Sequence, residues 1–193
     1  MKRVTVFCGS SSGNEKIFVD TAFLVGQTLA DRGIGMVYGG ARIGLMGAVA
    51  DGALSKGGEV IGVLPRFLRT KEIEHTGLSE LYLVESMHER KARMNELCDG
   101  IIALPGGFGT LEELFEMLTW AQLGLHGKPV GLLNIAGFYD GLADVLQNMV
   151  DKGFLKESNQ KMLITESEID ALLTKMTRYE PPQVPKWITA SKT

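Results

Sequence analysis

Ile101-Ile102-Ala103-Leu104-Pro105-Gly106-Gly107-Phe108-Gly109-Thr110-Leu111-Glu112-Glu113 passes from an apolar run through glycines into a helical pattern. A strand covered by helices on both faces reads as an unbroken apolar run. Residues 101–104 have that character. Glycines at such a turn let backbone N–H groups approach an anion, and the start of the following helix favours negative charge. The same residues also read as a tight turn closed by a capping box, with Thr110 as N-cap and Glu113 three residues on.

Outward from this stretch the pattern repeats. Short apolar or β-branched runs lie at residues 4–8, 35–38, 60–64, 81–84 and 130–133, with a weaker one at 162–164. Helical patterns separate them at 16–32, 45–55, 87–98, 111–123, 139–152 and 166–177. Alternation of this kind implies right-handed crossovers and an α/β fold, a doubly wound parallel sheet with helices on both faces. One domain is expected over residues 1–179. A tail at 180–193, with Pro181, Pro182 and Pro185, is expected to run extended.

Composition narrows the function. The 193 residues are 45% hydrophobic and 22% charged, which excludes whole-chain disorder. A net charge of −3 argues against coating a nucleic acid. Apolar runs are too short for a membrane span or a signal peptide. Cys8 and Cys98 stand far apart in apolar settings, as reduced buried thiols do, so a cytoplasmic protein is expected. Glycine is over-represented, with 24 residues, and it clusters after strands.

Ligands bind doubly wound sheets at the carboxyl ends of the strands. Three glycine-rich loops share that edge. Gly9 and Ser10 follow the first strand, Gly39 and Gly40 the second, and Gly106, Gly107 and Gly109 the strand at 101–104. None carries the lysine of GxxxxGK[ST], and Gly9–Gly13 is not GxGxxG. His75, His88 and His126 lack metal-ligand spacing, so no metal and no cofactor is expected. Met87, Met94 and Cys98 fall on one helical face, with Arg90 beside them. The charges of residues 88–93 read alone as a solvated run, but Arg90 near the glycine loop would suit a phosphate. Glu112, Glu113 and Glu116 read as surface charges in a first turn. A carboxylate this close to a phosphate loop repels the ligand unless it acts as a base or activates water.

Pro105-Gly106-Gly107-Phe108-Gly109-Thr110-Leu111-Glu112-Glu113 also reads as PGGxGTxxE. With Met87-His88-Glu89-Arg90-Lys91 before it, Thr119 after it, and Gly39-Gly40 and Gly44-x-Met46-Gly47 upstream, the chain resembles the LOG family. Those proteins are cytokinin riboside 5′-monophosphate phosphoribohydrolases, long mislabelled lysine decarboxylases. The resemblance implies a Rossmann-like fold and a homodimer. It implies hydrolysis of a purine nucleoside 5′-monophosphate, AMP included, to base and ribose 5-phosphate. It implies Arg90 and Glu113 as the catalytic pair. Glu72, Lys91, Gly107, Phe108, Gly109, Thr110, Leu111, Glu112 and Thr119 match substrate-contacting positions. No segment resembles a pyridoxal-phosphate lysine setting. A non-catalytic nucleotide or molybdenum-cofactor carrier is the alternative, and such a carrier has no need of a carboxylate beside the phosphate.

Overall fold

The computed structural model describes residues 1–69 and 74–182. Seven strands form one sheet: β1 (Arg3–Phe7), β2 (Gly35–Tyr38), β3 (Val60–Pro65), β4 (Glu80–Val84), β5 (Gly100–Ala103), β6 (Val130–Leu133) and β7 (Leu163–Glu166). Their order is β4-β3-β2-β1-β5-β6-β7, and every pairing is parallel. The helices are α1 (Lys16–Asp31), α2 (Gly44–Ser55), α3 (Met87–Glu96), α4 (Phe108–Gln122), α5 (Asp140–Asp151), α6 (Glu157–Gln160) and α7 (Ile169–Thr177).

Strand side chains alternate between two cores, as the period of two requires. Val4, Val6, Met36, Tyr38, Ile102 and Leu104 pack with α1, α2 and α7. Phe7, Val37, Ile61, Ile101 and Ala103 pack on the other face with Met94 of α3 and Leu114 and Met117 of α4. The expected Rossmann-like α/β fold with helices on both faces is therefore observed. Both thiols are buried and unpaired. Among the described residues, no helix is long and apolar enough to cross a membrane.

Several local expectations change. The weak last strand lies at Leu163–Glu166, because Thr165 and Glu166 pair with β6. The last helix consequently starts at Ile169. α4 begins at Phe108, three residues before its expected start. Gly107 takes the N-cap place in an extended conformation, and no side chain caps it. Thr110 is thus inside the first turn and not its N-cap, so the alternative reading of Thr110 and Glu113 as a capping box is not what the helix start shows. Met87 is 37% exposed, so the expected buried face of α3 is carried by Met94 and Cys98 without it. Glu72 and residues 183–193 of the expected tail lie outside the described residues.

Candidate active site

The strand order reverses between β1 and β5. Loops after those strands part to opposite faces there and leave a crevice. Gly9 N–H donates to the Pro105 carbonyl at 3.0 Å, and Leu45 N–H donates to the Gly9 carbonyl at 3.0 Å. All three glycine loops are therefore tied to one another. A Cβ on Gly106 would overlap the Thr110 hydroxyl and lie 2.9 Å from Gly9 N. A Cβ on Gly44 would overlap the backbone of Ser10. The result is a cleft of about 290 Å³ lined by Gly9, Ser10, Phe18, Gly106, Gly107 and Phe138 among others. The N-terminus of α4 opens beside it, and its unpaired N–H groups favour an anion.

Arg90 projects from the first turn of α3 and is buried. Its Nη2 donates to the Gly39 carbonyl at 3.3 Å, and Nη1 lies 3.9 Å from Met87 Sδ. Its Nε is buried without a partner among the described residues. Glu113, half-buried, projects from α4. Cys8, at the end of β1, registers both side chains. Burial pushes its thiol pKa up, the Glu113 carboxylate pushes it further, and the Arg90 guanidinium pulls it back. The charges of Arg90 on α3 and Glu113 on α4 are thus both felt at the thiol that follows β1.

Lys91 turns elsewhere. Its ammonium is buried against Glu112 and lies 2.8 Å from Glu116 Oε2. Burial would lower its pKa, but the hydrogen bond to Glu112 and the negative charges of Glu112 and Glu116 outweigh that and raise it. An ammonium held in this way is a poor Schiff-base amine. Thr119 is also apart from the cleft. Its hydroxyl donates to the Phe115 carbonyl at 2.7 Å, and the residue lines a separate groove with Phe115, Leu118 and Met149. Phe108 is 94% exposed at the start of α4. Gly109 is exposed and Leu111 half-buried on the same turns. Gly40 is buried, and its carbonyl accepts from His75 N–H at 3.0 Å.

Two residues were not singled out for the site from sequence. Cys8 is buried and feels the charges of both Arg90 and Glu113, and its place as the last residue before Gly9 is the sequence signal for it. Tyr139 is buried, and its hydroxyl donates to the Leu104 carbonyl at 2.8 Å, which fixes the start of α5 at the end of β5. Nothing local in the sequence reports that reach. Among the described residues, no group of three or more His, Cys, Asp or Glu side chains is placed to hold a metal ion.

Fold and crevice define a Rossmann-like α/β protein with glycine loops at its switch point. A family described as possible lysine decarboxylase matches residues 46–176. A protein of Oryza sativa subsp. japonica, probable cytokinin riboside 5′-monophosphate phosphoribohydrolase LOGL1, is 47% identical over 177 residues, 92% of this chain and 79% of that one. Cytokinin riboside 5′-monophosphate phosphoribohydrolase LOG5 of Arabidopsis thaliana is 47% identical over 180 residues, 93% of this chain and 79% of its own. The chain belongs to this LOG family. Among solved structures, a molybdenum cofactor binding protein from Rippkaea orientalis aligns with TM-score 0.69 at 20% identity, over 92% of this chain and 97% of that one. A molybdenum cofactor carrier protein from Chlamydomonas reinhardtii aligns with TM-score 0.67 at 18% identity, over 91% and 96%. At that identity the likeness is one of fold.

Proposed function

We propose that this chain hydrolyses the N-glycosidic bond of purine nucleoside 5′-monophosphates, with cytokinin ribotides and AMP as the substrate class. The seat of Arg90 on the Gly39 carbonyl, with its Nε buried and unpartnered among the described residues and the glycine loops tied to one another, is the observation that carries this reading. Gly106, Gly107, Gly109 and Thr110, with the N–H groups that open α4, receive the 5′-phosphate. Gly9 and Ser10 close the other wall of the cleft.

As the C1′–N bond lengthens, its electron pair leaves with the base and positive charge develops on the ribose. Glu113 faces that charge and stabilises it, as carboxylates do in glycoside hydrolysis. Water then adds to C1′, and its proton passes to the Glu113 carboxylate. The departing base takes up a proton from solvent and Glu113 returns the one it accepted to solvent, so that the net change is the addition of water across the C1′–N bond and the carboxylate is regenerated. Ribose 5-phosphate and free base result. Arg90, with Nε unpartnered in a buried setting, supplies a guanidinium to the phosphate or the leaving base.

A homodimer and a cytoplasmic location belong to the same reading. Val145, Met149 and Phe154 are exposed on and after α5, which supports a second copy covering that side. The two buried, unpaired thiols support a reducing compartment. A carrier of nucleotide or molybdenum cofactor would gain nothing from Glu113 beside a phosphate.

The test is base release from AMP and from isopentenyladenosine 5′-monophosphate, with the matching ribosides as controls. Release from the monophosphates alone, lost in Glu113→Gln, supports the assignment. Nucleotide binding without release supports a carrier instead.

A further inference from the structure

Gly39 and Gly40 follow β2 side by side, and their carbonyls serve different partners. The Gly39 carbonyl accepts from Arg90 Nη2 at 3.3 Å. The Gly40 carbonyl accepts from the His75 backbone N–H at 3.0 Å. Next to that bond, Ala41 and Glu74 form an antiparallel bridge. The chain between β3 and β4 therefore returns to lie along the β2 loop. Peptide planes are rigid, so a displaced Gly40 moves the adjoining Gly39 carbonyl as well.

The His75 side chain fastens this return. Its ring is buried. Nδ1 lies 2.7 Å from the Thr76 carbonyl oxygen, and Nε2 lies 3.2 Å from Oδ1 of Asp51 on α2. A carbonyl and a carboxylate only accept, so the ring makes both bonds with a proton on each nitrogen. The bond to Asp51 is then a charge-assisted one. Other charged groups nearby are engaged or neutral. Arg69 and Glu74 pair with each other at 2.7 Å. The buried Tyr38 phenol of β2 is pushed up by burial first, then by the charges of Cys8 and Asp51, and stays neutral.

We propose that His75 is a positioning residue. Clasped to Asp51, it holds the chain after β3 against Gly40, and through the adjoining Gly39 carbonyl it keeps the Arg90 guanidinium in its seat. This inference rests on the function proposed above, since the seat matters to turnover only if Arg90 does. The clasp is present while the ring is protonated. It is lost as the pH rises, when a bare Nε2 lone pair faces the Asp51 carboxylate. In Asp51→Asn the side-chain amide can turn an N–H to that lone pair, so the clasp survives without the extra proton.

The experiment uses the full chain with AMP as substrate. Base release is followed at pH 6 and pH 8.5 for wild type, His75→Gln, Asp51→Ala, Asp51→Asn, Gly39→Ala and the His75→Gln/Gly39→Ala double variant. Melting curves and amide exchange at the His75 backbone N–H accompany it. Expected at pH 6 are a kcat at least fivefold lower in His75→Gln and Asp51→Ala, with KM within threefold of wild type. The double variant should be within twofold of Gly39→Ala, because both changes act on one seat. The ratio of wild-type to Asp51→Asn kcat should fall at least threefold from pH 6 to pH 8.5. Exchange at the His75 N–H should be at least tenfold faster in Asp51→Ala. Should His75→Gln not fold, Asp51→Ala, at a carboxylate that is 64% exposed, carries the test.

Lower melting temperatures with unchanged kcat and KM make the contact a loop tie alone and overturn the positioning role. Fully additive losses in the double variant overturn the route through Gly39. A constant ratio of wild type to Asp51→Asn overturns the protonated clasp. An active wild type with unaffected variants overturns the proposal alone. An inactive wild type overturns the function and the positioning role together, and faster exchange in Asp51→Ala would then support only the clasp itself.

Discussion

Arg90 Nη2 donates to the carbonyl oxygen of Gly39 at 3.3 Å, across 51 positions of sequence. That bond seats the guanidinium at the ends of β2 and β1 rather than in solvent. It depends on Gly39 lacking a side chain. A Cβ there would overlap Nη2 and lie 3.1 Å from Met46 Sδ. Both are far ends of flexible side chains, so they can yield. Gly39→Ala should therefore fold with a melting temperature within a few degrees of wild type, and lose at least tenfold in kcat. Melting curves and base-release kinetics on the same preparation check both halves. An unchanged kcat would show that the Gly39 seat does not matter.

Neighbouring glycines of the phosphate loop should respond in opposite ways. Gly106→Ala drives a Cβ into Thr110 and Gly9 N. Backbone and a packed first turn cannot yield cheaply, so a loss of about 3 kcal/mol is expected. No atom lies within 4 Å of a Cβ on Gly107. Its alanine variant should lose at most about 1 kcal/mol, an N-cap effect. If Gly107 lets the backbone reach the phosphate, that variant should instead show a raised KM. Urea unfolding and kinetics separate the two.

Ala136 has φ 52° and ψ 32°, the left-handed region, in the turn before Phe138 of the cleft. A side chain there costs on the order of 1 kcal/mol. Ala136→Gly should stabilise the chain by at most about 0.5 kcal/mol, after the entropy of a freer unfolded chain, about 0.4–1 kcal/mol, is subtracted. Calorimetry would read this as a higher melting temperature. A lower one would mean that the strain is absent.

His126 should make the fold acid-sensitive. Burial pushes its pKa down from 6.5 to about 4, although its hydrogen bond to the Met117 carbonyl opposes this, and the Lys128 charge adds to the depression. Below 6.5 the unfolded chain binds a proton that the native imidazole refuses until about 4. Stability from this group is complete above that window and falls as the pH drops through it, by on the order of 2 kcal/mol. Urea unfolding at pH 7.5 and pH 5 should show a larger drop for wild type than for His126→Gln. Equal drops would remove His126 as the cause.

The β6 strand at Val130–Leu133 and β2 at Gly35–Tyr38 carry their state in their own residues. Apolar runs with glycine nearby encode buried strands locally, and the alternation with helical patterns leaves few ways to wind the sheet. The three loops at one edge follow from that winding. Three-dimensional packing decided the rest. Thr110 reads as a cap, yet Gly107 turns the chain first and Thr110 joins the helix. Lys91 and Arg90 look alike as neighbours in a charge run. One meets two carboxylates of α4, and the other meets a carbonyl of β2's loop. Helix and strand patterns repeat within a few residues and can be read there. Partners 20 to 50 residues apart are chosen only when α3 and α4 pack side by side on the same sheet, because burial, not sequence spacing, sets which charges meet.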